Sequence, residues 1–181
     1  GLAFIYHPWE SGRDNSPLWD SAMDRIEIDY DLLPNYTRKD TSLAASDERP
    51  TTDQYDRYVY LLELGKRYKY DEAGIFLESP YLIQDTLINT ALIRSNEALI
   101  NIGKRLGLDT AEVEEWQAQA VPAFQEKLWN EALNTFLVYD LRANEQVPMK
   151  EIGGISALFA GVANSAQATA IHTYLQTLHQ R

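Results

Sequence analysis

The stretch from Asp85 to Leu106 constrains the fold more than any other part of the sequence. Leu87, Ala91, Ile93, Leu99, Ile102 and Leu106 recur there at roughly helical intervals, and Gly107 stands where a left-handed C-terminal cap belongs. A helix that long needs neighbours to cover its apolar side. Thr51 and Gln54 have the spacing of a capping box before Tyr55, Tyr58, Val59, Leu62 and Leu64, which predicts a helix running to about Tyr70. Asp109 and Glu112 open another, carrying Val113, Trp116, Ala120, Phe124, Leu128, Trp129 and Leu133, with Pro122 as a candidate kink. At this spacing Trp116, Phe124 and Trp129 read as core. Thr135 to Leu141 and Gln146 to Met149, on either side of Asn144, predict a short β-hairpin. Gly153-Gly154 reads as a break before the apolar segment Ile155 to Val162, and a last helix is expected from Asn164 or Ser165 to near His179. Successive long helices imply an all-α fold of layers packed as antiparallel pairs, with one small hairpin.

Composition removes several function classes. Of 181 residues, 45% are hydrophobic, enough for a sizeable core and too many for a disordered chain. Lys and Arg total 16 against 27 Asp and Glu, a net charge of −11. Such a surface repels phosphate backbones and anionic lipid, so neither nucleic acid nor a membrane is an expected partner. No apolar run approaches the roughly 18 residues of a membrane helix, and no secretory signal pattern opens the chain. Cysteine is absent, which removes disulfides and thiolate chemistry and suits a cytoplasmic location. His7, His172 and His179 are too few and too scattered for a zinc site, so neither metal nor cofactor is expected.

The chemistry is concentrated near the start. Leu2 to Tyr6 form an apolar run that reads as the tail of a buried element whose beginning is missing, so a segment of a longer protein is expected. Glu10 and Asp14 follow among Trp9, Gly12, Asn15 and Trp19, and Ser16-Pro17 opens a helix whose face is Leu18, Ala22, Met23 and Ile26. Indole faces pack on the C–H faces of a pyranose, while carboxylates and amides bind its hydroxyls. A carboxyl enclosed by indoles loses hydration and becomes a better proton donor. The same residues also suit an exposed loop whose acids cap the helix and whose tryptophans fill the core. Residues 29–50 read as a long irregular connection, a kind of segment that is usually functional.

The wording Glu10-Ser11-Gly12-Arg13-Asp14-Asn15-Ser16-Pro17, with Trp19-Asp20, resembles the signature of the (α/α)6-barrel glycosidases that group trehalases with glycoside hydrolase family 63. It is most similar to the branch of mannosylglycerate and glucosylglycerate hydrolases. Trehalases carry a related loop in which an aromatic residue usually follows the Asp, whereas Asn15 and Pro17 stand here. Arg49-Pro50-Thr51, Tyr55-Asp56-Arg57-Tyr58, Phe124 to Trp129, Tyr139-Asp140-Leu141 and Leu158-Phe159-Ala160-Gly161 resemble later landmarks in the same order.

This resemblance implies about half of an (α/α)6 toroid, residues 1–181 forming part of a catalytic domain whose remaining parts lie outside the segment. It implies an inverting α-glycoside hydrolase with Asp14 as general acid. The family's general base is a Glu far beyond Gly161, and no Asp or Glu follows Gly161 here, so the base is expected outside this segment and the isolated segment is expected to be inactive. Trp9, Gly12 and Asn15 match the sugar-facing loop; Arg49 and Tyr55 match positions near the aglycone, where a guanidinium could pair with the carboxylate of glycerate. Glu10 suits a loop-ordering role through backbone amides, His7 a structural one, Asp140 a turn, and Arg49, Tyr55 and Tyr58 equally suit structural roles. The expected partners are a small carbohydrate, glucosylglycerate or mannosylglycerate first, and the remainder of the barrel. Trehalose, an α-gluco-oligosaccharide, or a non-catalytic carbohydrate-binding helical module are the alternatives.

Overall fold

The computed structural model describes residues 1–42 and 49–178; part of the irregular connection (43–48) and His179 lie outside the described residues. In chain order the elements are helices α1 (Asp20–Asp24), α2 (Thr52–Arg67) and α3 (Glu72–Glu78), strand β1 (Ile83–Gln84), and helices α4 (Thr86–Leu106) and α5 (Ala111–Leu128). Strands β2 (Trp129–Asn130), β3 (Thr135–Phe136), β4 (Tyr139–Asp140) and β5 (Glu145–Gln146) follow, then α6 (Ile152–Ala160) and α7 (Ser165–Leu178). Tighter 3-10 turns occupy Pro8–Ser11, Pro17–Trp19 and Asp40–Ser42. The chain divides into two compact units.

The helical unit comprises Gly1–Phe4, Gln84–Tyr139 and the chain from Asn144 onward. Asp85 caps α4 by accepting from the Ile88 amide at 2.8 Å, and Gly107 ends it at φ 68°, a conformation that costs a residue with a Cβ. Helix α4 packs on α5 and α6. Its covered positions are Thr86, Asn89, Thr90, Ile93, Asn96 and Gly103, whereas Leu99, Ile102 and Leu106 are exposed. The covered side of α4 is therefore small and polar for most of its length, which is how α5 and α6 come close. The apolar core of this unit gathers Ile93, Ala120, Phe124, Leu128, Phe136, Ala157, Val162 and Ile171. Phe124 meets Phe136 at 5.0 Å between ring centroids, and Phe136 meets Trp129 at 5.0 Å.

Four expectations are corrected here. Helix α5 ends at Leu128 and passes Pro122 without breaking, so Trp129 starts a strand and Leu133 lies in a turn. Trp116 is half exposed instead of core. The expected hairpin across Asn144 (φ 56°) does form, β4 lying beside β5 with the Val147 amide donating to the Val138 carbonyl at 2.8 Å, but Thr135–Phe136 pairs instead with Trp129–Asn130, because Asn134 takes the left-handed turn position (φ 51°) and Asn130 accepts the Leu133 amide at 2.8 Å. Gly153-Gly154 does not break the chain but lies in the first turns of α6. A Cβ on Gly154 would come within 2.3 Å of the Phe136 carbonyl oxygen, so these glycines serve close approach of α6 to α4 and β3. Asn164 and Gln167 cap α7 reciprocally, each side chain accepting the other's backbone amide.

The loop unit comprises Ile5–Ile83 and Asp140–Ala143. Ile5 and Ile83 exchange both backbone bonds, at 2.8 and 2.9 Å. Ser16 caps the Pro17 turn that feeds α1, burying Leu18, Ala22, Met23 and Ile26. The Thr51–Gln54 capping box is formed in both directions, and α2 stops at Arg67, short of Tyr70, where Lys69 and Tyr70 adopt φ 53° and 58°. Helix α3, capped by Asp71 on the Gly74 amide, is an element the sequence pattern did not reveal; its seven residues are too few to display a period. Asp140 is a turn carboxylate, buried, accepting the amides of Arg142 and Ala143 and paired with Arg25.

Candidate active site

Within the loop unit, Trp9, Asp14, Arg49, Pro50, Tyr55 and Tyr58 line one cavity of about 280 Å³. Three local devices build it. His7 caps the Pro8–Ser11 turn through Nδ1, which accepts the Trp9 amide at 3.1 Å. The Nε2 must then carry the proton, and it donates to the Tyr58 carbonyl at 3.0 Å. Burial pushes His7 down to about 4, so the ring is neutral around pH 7 and serves as a strut.

Glu10 completes the same cap, its Oε2 accepting the amides of Tyr6 (2.8 Å) and His7 (2.9 Å). Burial pushes its carboxyl up and these amide bonds oppose that shift. Gly12 closes the turn at φ 67°. Beneath the loop, Trp19 is only 1% exposed and its Nε1 donates to the Arg13 carbonyl at 2.7 Å. Trp19 is thus a floor for the loop, and Trp9, 39% exposed, is the one indole that faces the cavity.

Helix α2 provides the opposite wall. Tyr55 and Tyr58, three residues apart, share a face. The Tyr58 hydroxyl donates to the Asp14 backbone carbonyl at 2.6 Å, tying the helix to the loop beside the carboxyl. Burial, then the nearby charges of Asp14 and Asp20, push this phenol up to about 12 against the opposing Arg49. Tyr55 is held by Tyr36, stacked at 5.6 Å, and by the Arg38 guanidinium, 4.6 Å from its ring centroid. Trp9 contacts both tyrosines, at 6.1 and 5.7 Å between centroids.

The structure therefore brings together Trp9, Asp14, Arg49 and Tyr55 of the residues singled out from sequence. Gly12 and Asn15 are exposed and lie outside the lining: Gly12 shapes the turn, and Asn15 directly follows Asp14 along the chain. Sequence reading missed Tyr36, Arg38 and Asp40, which brace the cavity from behind. Their only signal was membership of a long irregular connection rich in aromatic and charged residues. Among the described residues no group of three or more His, Asp or Glu is arranged to hold a metal ion, and no helix is long and apolar enough to cross a membrane.

A carboxylic acid residue, an arginine and aromatic residues around one cavity are side chains of the kinds that bind sugars. Residues 1–180 match the family described as the mannosylglycerate hydrolase MGH1-like glycoside hydrolase domain. The chain belongs to this family. It is 38% identical over 169 residues to a mannosylglycerate hydrolase of Thermus thermophilus, covering 93% of this chain and 40% of that protein. It is 33% identical over 116 residues to a glucosylglycerate hydrolase of Mycolicibacterium hassiacum, covering 64% of this chain and 26% of that protein. The crystal structure of the GH63 mannosylglycerate hydrolase from Thermus thermophilus in complex with Tris and D-glycerate superposes with a TM-score of 0.88 at 36% identity, over 95% of this chain and 41% of that one. The mostly helical fold thus matches part of the GH63 mannosylglycerate hydrolase structure. The chain spans about two fifths of the length of the first of these relatives.

Proposed function

We propose that the complete protein is an inverting α-glycoside hydrolase acting on a small α-mannoside or α-glucoside such as mannosylglycerate or glucosylglycerate, with Asp14 as general acid. The observation that carries this is the shared cavity lined by Asp14 together with Trp9, Arg49, Tyr55 and Tyr58. In this reading the sugar packs on Trp9, Asp14 gives its proton to the glycosidic oxygen as the bond breaks, and Arg49 with Tyr55 receives the aglycone. Arg49 suits a carboxylate there because a guanidinium pairs bidentately with one. Gly12 keeps the loop in its turn, and Asn15 contributes to the sugar-facing rim. The base that activates water lies outside residues 1–181, and an inverting pair needs its two carboxyls ~6.5–9.5 Å apart to admit that water.

Supporting the substrate choice are the mannosylglycerate and glucosylglycerate hydrolases among the relatives and the D-glycerate held by one of them. The partner set follows: a small carbohydrate and the rest of its own barrel, with no nucleic acid or membrane surface drawn to a chain of net charge −11. A cytoplasmic location fits a chain without cysteine. The test is hydrolysis of both glycerates by the complete protein, followed by NMR of the first-formed sugar. Appearance of the β-anomer first is expected. Asp14→Asn should lower kcat at least ~100-fold; a loss within about tenfold would exclude the acid role.

A further inference from the structure

Behind the cavity, one carboxylate is shared by two arginines. Asp40 accepts Arg38 Nε at 3.1 Å on Oδ1 and Arg38 Nη2 at 2.6 Å on Oδ2, and the same Oδ2 accepts Arg49 Nε at 3.3 Å. The Arg38 Nη2 also donates to the carbonyl of Pro50, a wall residue of the cavity, at 2.8 Å. The Arg38 guanidinium lies on the ring of Tyr55. Side-chain exposure is 10% for Asp40 and 14% for Arg38, so this assembly is packed instead of waving in solvent, while Arg49 at 31% reaches the cavity. Hydrogen bonds from Arg38, then from Arg49, hold the Asp40 carboxyl far below the usual range, and it is anionic wherever the protein is folded near neutrality.

We propose that Asp40 is a positioning residue that, through Arg38 and directly, fixes Arg49 and Tyr55 for recognition of an anionic aglycone; this rests on the aglycone role given to those two residues above. Asp40 lies outside the cavity lining and touches no substrate in this account. It does two things. It fixes Arg49 at Nε, which sets the direction of the fork, and it neutralises one of two adjacent cations, leaving a net charge of one to meet one carboxylate. Geometry and charge make opposite forecasts for its removal. Asp40→Asn leaves both cations uncompensated, so simple attraction would tighten an anionic ligand, whereas loss of orientation weakens it.

The experiment uses the complete protein, with mannosylglycerate and glucosylglycerate against methyl α-mannoside and methyl α-glucoside, and D-glycerate binding followed by calorimetry. Asp40→Asn is expected to raise KM for the glycerates about tenfold, the order of one lost charge-assisted contact (~1.4 kcal/mol), with kcat changed less than about threefold. The methyl glycosides should be unaffected, D-glycerate should bind about tenfold more weakly, and Asp40→Glu should restore part of the loss. Arg38→Lys, which keeps the charge and loses the fork, should act in the same direction and carries the test if Asp40→Asn does not fold. Unchanged or tighter glycerate binding in these variants overturns the proposal, as does an equal loss on glycerates and methyl glycosides. Arg49→Gln separates the underlying reading: if it too affects both substrate classes alike, the aglycone assignment falls and this proposal with it.

Discussion

The two units of this chain are ordered by different physics. The helical unit is held by apolar volume: Phe124, Leu128, Phe136, Ala157 and Ile171 are all fully buried, and α4 and α6 are each delimited by a side-chain cap and a left-handed glycine. The loop unit has its own buried residues under Trp19, but its cavity walls are fixed by individual polar contacts. These include the His7 and Glu10 cap, the Tyr58 hydroxyl on Asp14, and the Asp40 fork. Burial of area is non-directional and tolerates small shifts, whereas a hydrogen bond specifies an angle. The cavity proposed to aim one carboxyl is therefore built from the second kind of contact.

The contrast can be broken in four ways, from the largest effect to the smallest. Phe124→Ala should destabilise the complete protein by ~3–5 kcal/mol through the cavity it leaves, and hydrogen exchange should quicken first in α4 to α6. Equal quickening throughout the loop unit would show that the two kinds of order are not separable. Acidification should strike the loop unit next. His7 titrates near 4 folded and near 6.5 unfolded, so its contribution is complete above pH 6.5 and is lost as the pH falls from 6.5 to 4. The loss is on the order of 3 kcal/mol. A His7→Gln variant, whose amide can keep part of the bonding without titrating, should flatten the fall in denaturant midpoints across that window.

Tyr58→Phe should cost ~1–2 kcal/mol by leaving the Asp14 carbonyl without its donor, and should lower kcat more than it raises KM, because the change lies beside the proposed proton donor. At the alkaline end the same phenol should make stability decline from pH 10 to about 12, since the unfolded tyrosine ionises first; Tyr58→Phe should remove that decline. Thr51→Ala, which removes the cap at the start of α2, should cost only ~1 kcal/mol and leave the pH profile unmoved.

Sequence was informative where order is local and periodic. The ends of α4, the capping box of α2 and the Ser16-Pro17 turn follow from nearest neighbours along the chain. It misled where a distant contact decides. Gly153-Gly154 carries the composition of a break, yet its place in α6 is dictated by the Phe136 carbonyl across the unit. Trp19 and Trp9 look equivalent in the loop, but only the packing distinguishes the floor from the wall. For the site, a family-like run was enough to bring forward Asp14, Trp9, Arg49 and Tyr55. Asp40 stayed hidden because an Arg-x-Asp pair in a polar connection has no periodic signature, and its meaning appears only when Arg49 meets it in space.

The double clasp on the loop, Glu10 at one end and the Tyr58 hydroxyl at the other, has a thermodynamic consequence. Backbone on both sides of Asp14 loses its rotational freedom when the polypeptide folds, so on the proposed function a glycoside would not have to immobilise that segment a second time. Capture should accordingly show little entropic penalty from this loop, and heating should weaken it mainly by loosening the clasp.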